Sequence, residues 1–424
     1  MKIGENGILL LQDRSKNCSA DVDDQVHVPV WDVATGDFFR EKRISFGRSP
    51  FIYSEEGFVY FLYLCSRMYA MENKTFDPDG VGVANGAYFG MPFDPETAEV
   101  VLISAPWDVT VSYGAGAAYA PDAIIEASTQ LDFHDPLAPG LWRRGIATAD
   151  VDYTLQEESQ RLRADATRVI DHLEGGGSPD DDYVVRKLRR VNEGCAAMNA
   201  NIEQQAARWL DAGKTVGLVG GDHSTPYGLI RALGARHERF GILHIDAHCD
   251  LREAYEGFEF SHASIMYNVL RDVPQVVRIA QVGVRDFSEG EAALAAASER
   301  IASFDDFALA EARFRGETWD ALCRKIVATL PGEVYVSFDI DGLTCENCPH
   351  TGTPVSGGLT FNEAVWLLVV LARSGRRIIG FDLVEVAPVA EERIDAIAGA
   401  RMLWKLCGQT LASSKNRNIV LEEK

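Results

Sequence analysis

The chain has 424 residues, 46% of them hydrophobic, and a formal net charge of −22. That length allows one large α/β domain or two ordinary ones, and the acidity argues against a nucleic-acid partner while favouring, weakly at cellular salt, a cationic one. The 8 cysteines form no regular framework, the N-terminus lacks a signal-peptide pattern, and the longest early apolar run, Phe58 to Cys65, is too short to span a bilayer, so a cytoplasmic protein without a membrane partner is expected.

Residues 1–70 show little sustained helical or strand period and are unusually aromatic between Trp31 and Tyr69. Two accounts stay open for them. They form an extension that covers a neighbouring subunit or the substrate entrance, or they lie upstream of a natural start at Met71. Residues 71–424 are expected to be the catalytic domain. There, apolar runs over 99–104, 145–149, 215–219, 241–245, 277–282, 300–303, 333–338 and 377–381 read as strands. Amphipathic patterns over 122–130, 183–212, 225–233, 264–270, 319–330 and 361–374 read as helices, and Gly175–Asp182 as a solvated loop between helices. Apolar strands alternating with amphipathic helices predict a mostly parallel eight-stranded sheet covered on both faces, a three-layer α/β/α fold. In such sheets ligands bind beyond the carboxyl ends of the strands.

Three of the runs end in ligand-type side chains. Thr215-Val-Gly-Leu-Val219 ends in Gly220-Gly-Asp-His-Ser224. Gly241-Ile-Leu-His-Ile245 ends in Asp246-Ala-His-Cys-Asp250. Glu333-Val-Tyr-Val336 ends in Ser337-Phe-Asp-Ile-Asp341. Residues i, i+2 and i+4 of an extended chain point the same way, so Asp246, His248 and Asp250 converge if the chain stays extended past the strand. Asp339 and Asp341 repeat the device. Four carboxylates and two imidazoles cannot share one crevice unless cations neutralise them. Carboxylate and imidazole without thiolate suit Mn²⁺, or another borderline ion such as Ni²⁺, Co²⁺ or Fe²⁺. Two such ions about 3.5–4 Å apart lower the pKa of a shared water toward about 7, which predicts a two-metal hydrolytic site.

Five segments in order resemble the ureohydrolase family of arginases and agmatinases. They are the three above, Thr351-Gly-Thr-Pro-Val-Ser-Gly-Gly-Leu and Phe381-Asp-Leu-Val-Glu-Val-Ala-Pro, and the resemblance runs from about Pro92 to Gly408. It implies an arginase-like fold assembled as trimers or hexamers. It also implies one metal on His223, Asp246, Asp250 and Asp339 and another on His248, Asp246, Asp339 and Asp341, bridged by Asp246 and Asp339. By the same resemblance His262 transfers a proton to the leaving amine and Glu385 grips a substrate guanidinium, whose planar fork of donors a carboxylate accepts in parallel. Thr353 stands where the family puts a hydroxyl beside that Glu. Asp222 and Ser224 are expected to hold the ligands in place.

Other residues read as structural. His244 lies inside a strand, where a core or supporting role outweighs ligation. His27, His134, His172 and His237 lack ligand context. Cys249 is expected to point away from its neighbouring ligands into packing. Gly114-Ala115-Gly116 lacks the P-loop Lys and the dinucleotide spacing, and by resemblance lies near the mouth of the site. Cys345, Cys348 and His350 follow Asp341 closely; a loop that tunes pocket shape is expected ahead of a third metal site.

Departures from the family narrow the substrate. Leu251-Arg-Glu-Ala-Tyr-Glu-Gly257 lacks the small polar pattern with which arginases hold an α-carboxylate and α-amine, so free arginine is disfavoured. Ile125 replaces an Arg, and Ala120 a Gly, of the agmatinase pattern. The expected reaction is hydrolysis of a guanidino C–N bond to urea and an amine, agmatinase-like, with Asp341 accepting a hydrogen bond from the nucleophile. Guanidine itself and formimidoylglutamate are the alternative substrates. A non-catalytic metal-binding member of the fold is opposed by the full set of ligands. A single-zinc deacetylase of related fold is opposed by Asp339-Ile-Asp341.

Overall fold

In the computed structural model, residues 26–31, 38–44, 76–389 and 392–414 are described. The chain divides into two units, Met1–Thr75 and Phe76–Lys424. In the first, Val26–Trp31 (β1) and Phe38–Ile44 (β2) pair antiparallel, a hairpin that the weak sequence periodicity does not announce. Pairing slips between Val28 and Val30, at Pro29, which has no N–H to give to a ladder. The remainder of the 1–70 extension lies outside the described residues.

The second unit is built on eight parallel strands: Val100–Ala105 (β3), Ile146–Thr148 (β4), Thr215–Gly220 (β5), Phe240–Ile245 (β6), Val276–Val282 (β7), Ile301–Phe304 (β8), Glu333–Phe338 (β9) and Arg377–Leu383 (β10). They lie in the order β4-β3-β5-β10-β9-β6-β7-β8, every neighbouring pair parallel. Helices Ala120–Ser128 (α1), Tyr153–Glu174 (α2), Asp182–Asp211 (α3), Tyr227–Gly234 (α4), Ile265–Asp272 (α5), Glu289–Ala297 (α6), Asp306–Phe314 (α7), Trp319–Ala328 (α8), Phe361–Arg373 (α9) and Ile394–Ser413 (α10) make the connections.

Alternation along the strands divides the core in two. Val100, Leu102, Val334, Val336 and Phe338 pack toward α1, α8, α9 and α10. Val101, Ile103, Val216, Leu218 and Tyr335 pack toward α2, α3, α4 and α5. Both faces are therefore covered, and the three-layer expectation is met. Strand ends β5, β10, β9 and β6 are consecutive in the sheet, so the loops that leave them share one stretch of its carboxyl edge.

The first described contacts of the second unit begin at Phe76, whose ring packs edge-on against Trp142 with centroids 5.6 Å apart. A chain beginning at Met71 is therefore expected to fold and to bind metal as the full chain does. Thermal melting and elemental analysis check this. An insoluble or metal-free product would place indispensable contacts before Met71.

Candidate metal centre and active site

Each segment reaches the carboxyl edge in its own way. After β5 the chain turns through Gly220 and Gly221. Gly221 passes so close to Trp107 that an added Cβ would lie 1.7 Å from that residue's carbonyl oxygen, so only glycine fits. The turn leaves His223 buried, its backbone N–H donating to Glu385 Oε1 at 2.8 Å.

The period-two expectation for the other two segments is corrected here. Beyond β6 the chain leaves the extended path: Asp250 has φ +54°, a left-handed conformation that Asp tolerates better than most residues. Beyond β9, Ile340–Gly342 is a 3-10 turn, with Asp339 Oδ1 accepting the Asp341 N–H at 2.8 Å. Turn chemistry, not strand alternation, brings Asp250 and Asp341 inward, while His248 still bridges Asp286 as an extended residue. Glu385, one residue past the end of the β10 bridge at Val384, also has positive φ, +62°. For Glu such a conformation costs about 1–2 kcal/mol.

The result is two clusters that share Asp246. His223, His244, Asp246 and Asp250 form one, and Asp246, His248 and Asp341 the other. His223 Nδ1 lies 2.9 Å from Asp246 Oδ2, 3.0 Å from Asp250 Oδ2 and 3.2 Å from Asp339 Oδ2. His248 Nδ1 lies 3.1 Å from Asp341 Oδ2 and 3.5 Å from Asp246 Oδ1. Thus Asp246 Oδ2 faces His223 and, at 2.8 Å, His244 Nε2, while Oδ1 faces His248. Asp339 turns Oδ2 to His223 and keeps Oδ1 on the Asp341 amide, and belongs to neither cluster.

Two observations fit a cation at the first cluster. His223 Nε2 sits 2.9 Å from Ser337 Oγ, and Ser337 donates its only proton to Asp382 Oδ2 at 2.9 Å. His223 must then donate through Nε2, which leaves the Nδ1 lone pair facing the carboxylates. Moreover, His223 Nδ1 and Asp250 Oδ2 are buried without an aligned hydrogen bond, although carboxylates and imidazole stand about them. Nδ1 is directed between the oxygens rather than at any one of them. That is the arrangement of atoms that converge on an ion.

Without cations the charges distort one another. Burial opposes the charged form of His223, but the close carboxylates of Asp246, Asp250 and Asp339 outweigh it and hold the imidazole well above its usual range. His248 loses to burial and gains more from Asp341 and Asp246, reaching about 12. Burial, reinforced by Asp246, pushes Asp250 to about 6. Burial, then the charges of Asp341 and Asp246, holds Asp339 well above the carboxylate range. With both imidazoles raised, an ion held on either histidine would compete with a proton. Both imidazoles are raised, so Mn²⁺ affinity should climb with pH across 6.5 to 8.5, by about tenfold per pH unit for each proton released. Calorimetric titration in buffers of different ionisation enthalpy measures that number; a pH-independent affinity would contradict it.

The neighbouring groups complete the crevice. Glu385 Oε2 is buried and has no hydrogen-bond partner, and burial, then Asp222, raises its carboxyl well above the ordinary range. His262 opens a 3-10 turn; its N–H donates to Thr110 Oγ1 at 3.3 Å and its Nδ1 lies 3.4 Å from Ser261 Oγ. Burial, then the imidazoles of His248 and His223, pushes His262 down to about 3. Thr353 is half-buried, and no hydrogen bond joins it to Glu385 among the described residues. Thr351, which the sequence did not single out, is buried with Oγ1 unpartnered. Asp222 accepts from the Ser224 amide at 3.0 Å and from its hydroxyl, fastening the turn that carries His223.

Cys249 is buried in the core between β6 and the α2–α5 layer. Cys348 is buried, its thiol donating to Asp395 Oδ1 at 3.4 Å, and His350 Nδ1 lies 2.9 Å from Asp395 Oδ2. Asp395 thus ties the 345–353 loop to α10, and neither metal-type cluster includes these residues. Gly114 donates its N–H to Gly352 O at 2.9 Å, which joins the Gly114–Gly116 loop to the loop over Glu385.

A three-layer α/β/α protein with paired carboxylate–imidazole clusters at adjoining strand ends is the class defined so far. The arginase-family profile matches residues 98–408, and the chain belongs to that family. It is 30% identical over 313 residues to an N(1)-aminopropylagmatine ureohydrolase of Thermus thermophilus, covering 74% of this chain and 90% of the relative. It is 29% identical to an agmatinase of Bacillus anthracis, covering 69% and 85%. Among solved structures, an agmatine ureohydrolase of Thermoplasma volcanium superposes with a TM-score of 0.58 at 20% identity, over 83% of this chain and all of the other. Proclavaminate amidino hydrolase of Streptomyces clavuligerus gives 0.59 at 22%, over 77% and 97%. No described helix is long and apolar enough to cross a membrane.

Proposed function

We propose that the chain is a binuclear-metal hydrolase that cleaves a guanidino C–N bond, releasing urea and an amine. The carrying observation is the charge balance of the crevice. Asp246, Asp250, Asp339 and Asp341 match two divalent ions, held on His223 and on His248. Glu385 is left over, buried, with a free oxygen. A buried carboxylate needs a positive partner, and a guanidinium supplies charge and paired donors together. The donor set suits Mn²⁺, with Ni²⁺ as the alternative. When bound, the ions supply a water of lowered pKa, near about 7. Asp341 accepts a hydrogen bond from that nucleophile, Glu385 orients the planar carbon toward it, and His262 moves a proton toward the departing nitrogen. The substrate is a small guanidino cation and the enzyme works as a homotrimer or homohexamer in the cytoplasm, without nucleic acid or membrane.

A second reading, with guanidine itself as substrate, has one specific support. The loops that carry Gly114 and Gly352 are bonded together, and a Cβ on Gly352 would lie 2.7 Å from Glu385 Oε2. Backbone thus presses on the guanidinium-binding carboxylate, which favours a compact substrate.

Urea release from agmatine, arginine, guanidine, guanidinobutyrate and guanidinopropionate, each with Mn²⁺ and with Ni²⁺, tests both readings. No urea from any of them would sink the reaction class. Glu385→Gln keeps the shape and removes the anion. Losing one partner of a buried charge pair costs about 3 kcal/mol, so kcat/KM should fall on the order of 10²-fold on every active substrate. An unchanged value would mean the substrate carries no cation there.

A further inference from the structure

His244 lies on β6 two residues before Asp246 and is fully buried. Its Nε2 is 2.8 Å from Asp246 Oδ2, and its Nδ1 is 3.2 Å from the side-chain Nε2 of Gln281 on β7. That same amide nitrogen donates to the carbonyl oxygen of Cys249 at 2.8 Å. A carbonyl can only accept, so Gln281 must turn its NH₂ toward it. The NH₂ then also faces His244 Nδ1, which becomes the acceptor, and the ring proton resides on Nε2. Cys249, on the ligand segment itself, therefore decides the tautomer of His244 through Gln281.

Proximity alone would count His244 among the ligands of the first cluster. The tautomer excludes that: Nδ1 is engaged by Gln281, and Nε2 has a proton where a ligand needs a lone pair. We infer that His244, oriented by Gln281, is a positioning residue that fixes the carboxylate plane of Asp246. With Oδ2 receiving the His244 proton and Oδ1 accepting the His248 amide at 2.6 Å, the carboxylate cannot rotate. Each oxygen then keeps one lone pair for its own side, Oδ2 toward His223 and Oδ1 toward His248. The contact falls on Oδ2 alone, so its loss should weaken the ion at His223 more than the ion at His248. This inference rests on the two-metal part of the proposed function and is independent of the substrate.

The test compares the wild-type chain with His244→Leu and His244→Gln in Mn²⁺ titrations, free ion read by electron paramagnetic resonance. Leu fills space without a donor; Gln extends an amide N–H toward Asp246. Loss of a group that orients a ligand typically weakens metal binding by about 10–100-fold. One of the two Mn²⁺ sites should weaken by that amount in His244→Leu, recover most of it in His244→Gln, and leave the other site within about threefold. Equal weakening by both variants would make His244 a packing residue against the His223 ring, 5.3 Å away, and overturn the inference. So would unchanged binding in His244→Leu. If His244→Leu does not fold, Gln281→Met, which leaves the ring in place but undirected, must weaken the same site; unchanged binding there also overturns it. Two intact Mn²⁺ sites in the wild type with no urea from any guanidino compound would sink the substrate reading and leave this one standing.

Discussion

Asp339→Asn is expected to strip metal and turnover together. In the cation-free protein burial and the charges of Asp341 and Asp246 hold the Asp339 carboxyl well above the usual range, which favours its neutral form. Asn mimics that neutral acid in size and polarity. Its side-chain oxygen can still accept the Asp341 N–H, which Asp339 Oδ1 receives at 2.8 Å. Folding without metal should therefore hardly change. With metal the comparison would reverse, since Asp339, whose Oδ2 already lies 3.2 Å from His223 Nδ1, would supply a charge that Asn lacks. Lewis-acid and nucleophile-generating effects are worth several kcal/mol, so turnover should drop on the order of 10³-fold or more. Elemental analysis after gel filtration and urea release measure the two quantities on one sample. Two retained ions with full activity would remove Asp339 from the metal centre.

The eight strands were legible because each is a short, mostly apolar run, and the observed bounds match those expected for Glu333–Phe338 and elsewhere differ by no more than two residues. Four helices gave weaker signals. Tyr153–Glu174 (α2) was visible only through the loop that follows it. Glu289–Ala297 (α6) is largely alanine and presents no apolar stripe; among its residues only Glu291 is buried, and a capping box between Ser288 and Glu291 starts it. Asp306–Phe314 (α7) buries only Leu309. Ile394–Ser413 (α10) fails in the opposite way: it is buried on most sides, so it lacks the polar face that makes a helix periodic.

At the site, ligand-type residues were identifiable from their positions after strands, but the way they converge was not. Period-two alternation was the expected cause; for Asp250 and Asp341 a left-handed residue and the 3-10 turn at Ile340–Gly342 are the actual one. Supporting groups were harder still. Gln281 lies on β7 and Asp382 on β10, far in sequence from the residues they orient, and nothing local marks either as more than a buried polar side chain in a strand. Strand order in the sheet creates those pairings, and a single sequence does not print it.

His262→Ala is expected to lower kcat by about 10²–10⁴, the range for a positioned proton-transfer group, while both ions stay bound. The reason to expect binding to survive is geometric. His262 is held through its backbone by Thr110 and faces Tyr255 edge-on at 6.2 Å, outside both carboxylate clusters. The form in which it acts follows from its surroundings. Burial, then the neighbouring imidazoles of His248 and His223, pushes its pKa to about 3, so above that pH the resting ring is neutral. A neutral imidazole cannot begin as the acid. In the proposed reaction it would accept a proton from the nucleophile side and pass it to the leaving nitrogen within one turnover. Because burial, the largest cause, holds its ionisation below the usual imidazole range, the pH profile of the Ala variant between pH 6 and 9 should keep the wild-type shape at a lower plateau. A limb near neutrality that vanishes in His262→Ala would show instead a ring that titrates there. Loss of metal at wild-type kcat per remaining site would make His262 a structural residue or a ligand and remove it from the chemistry.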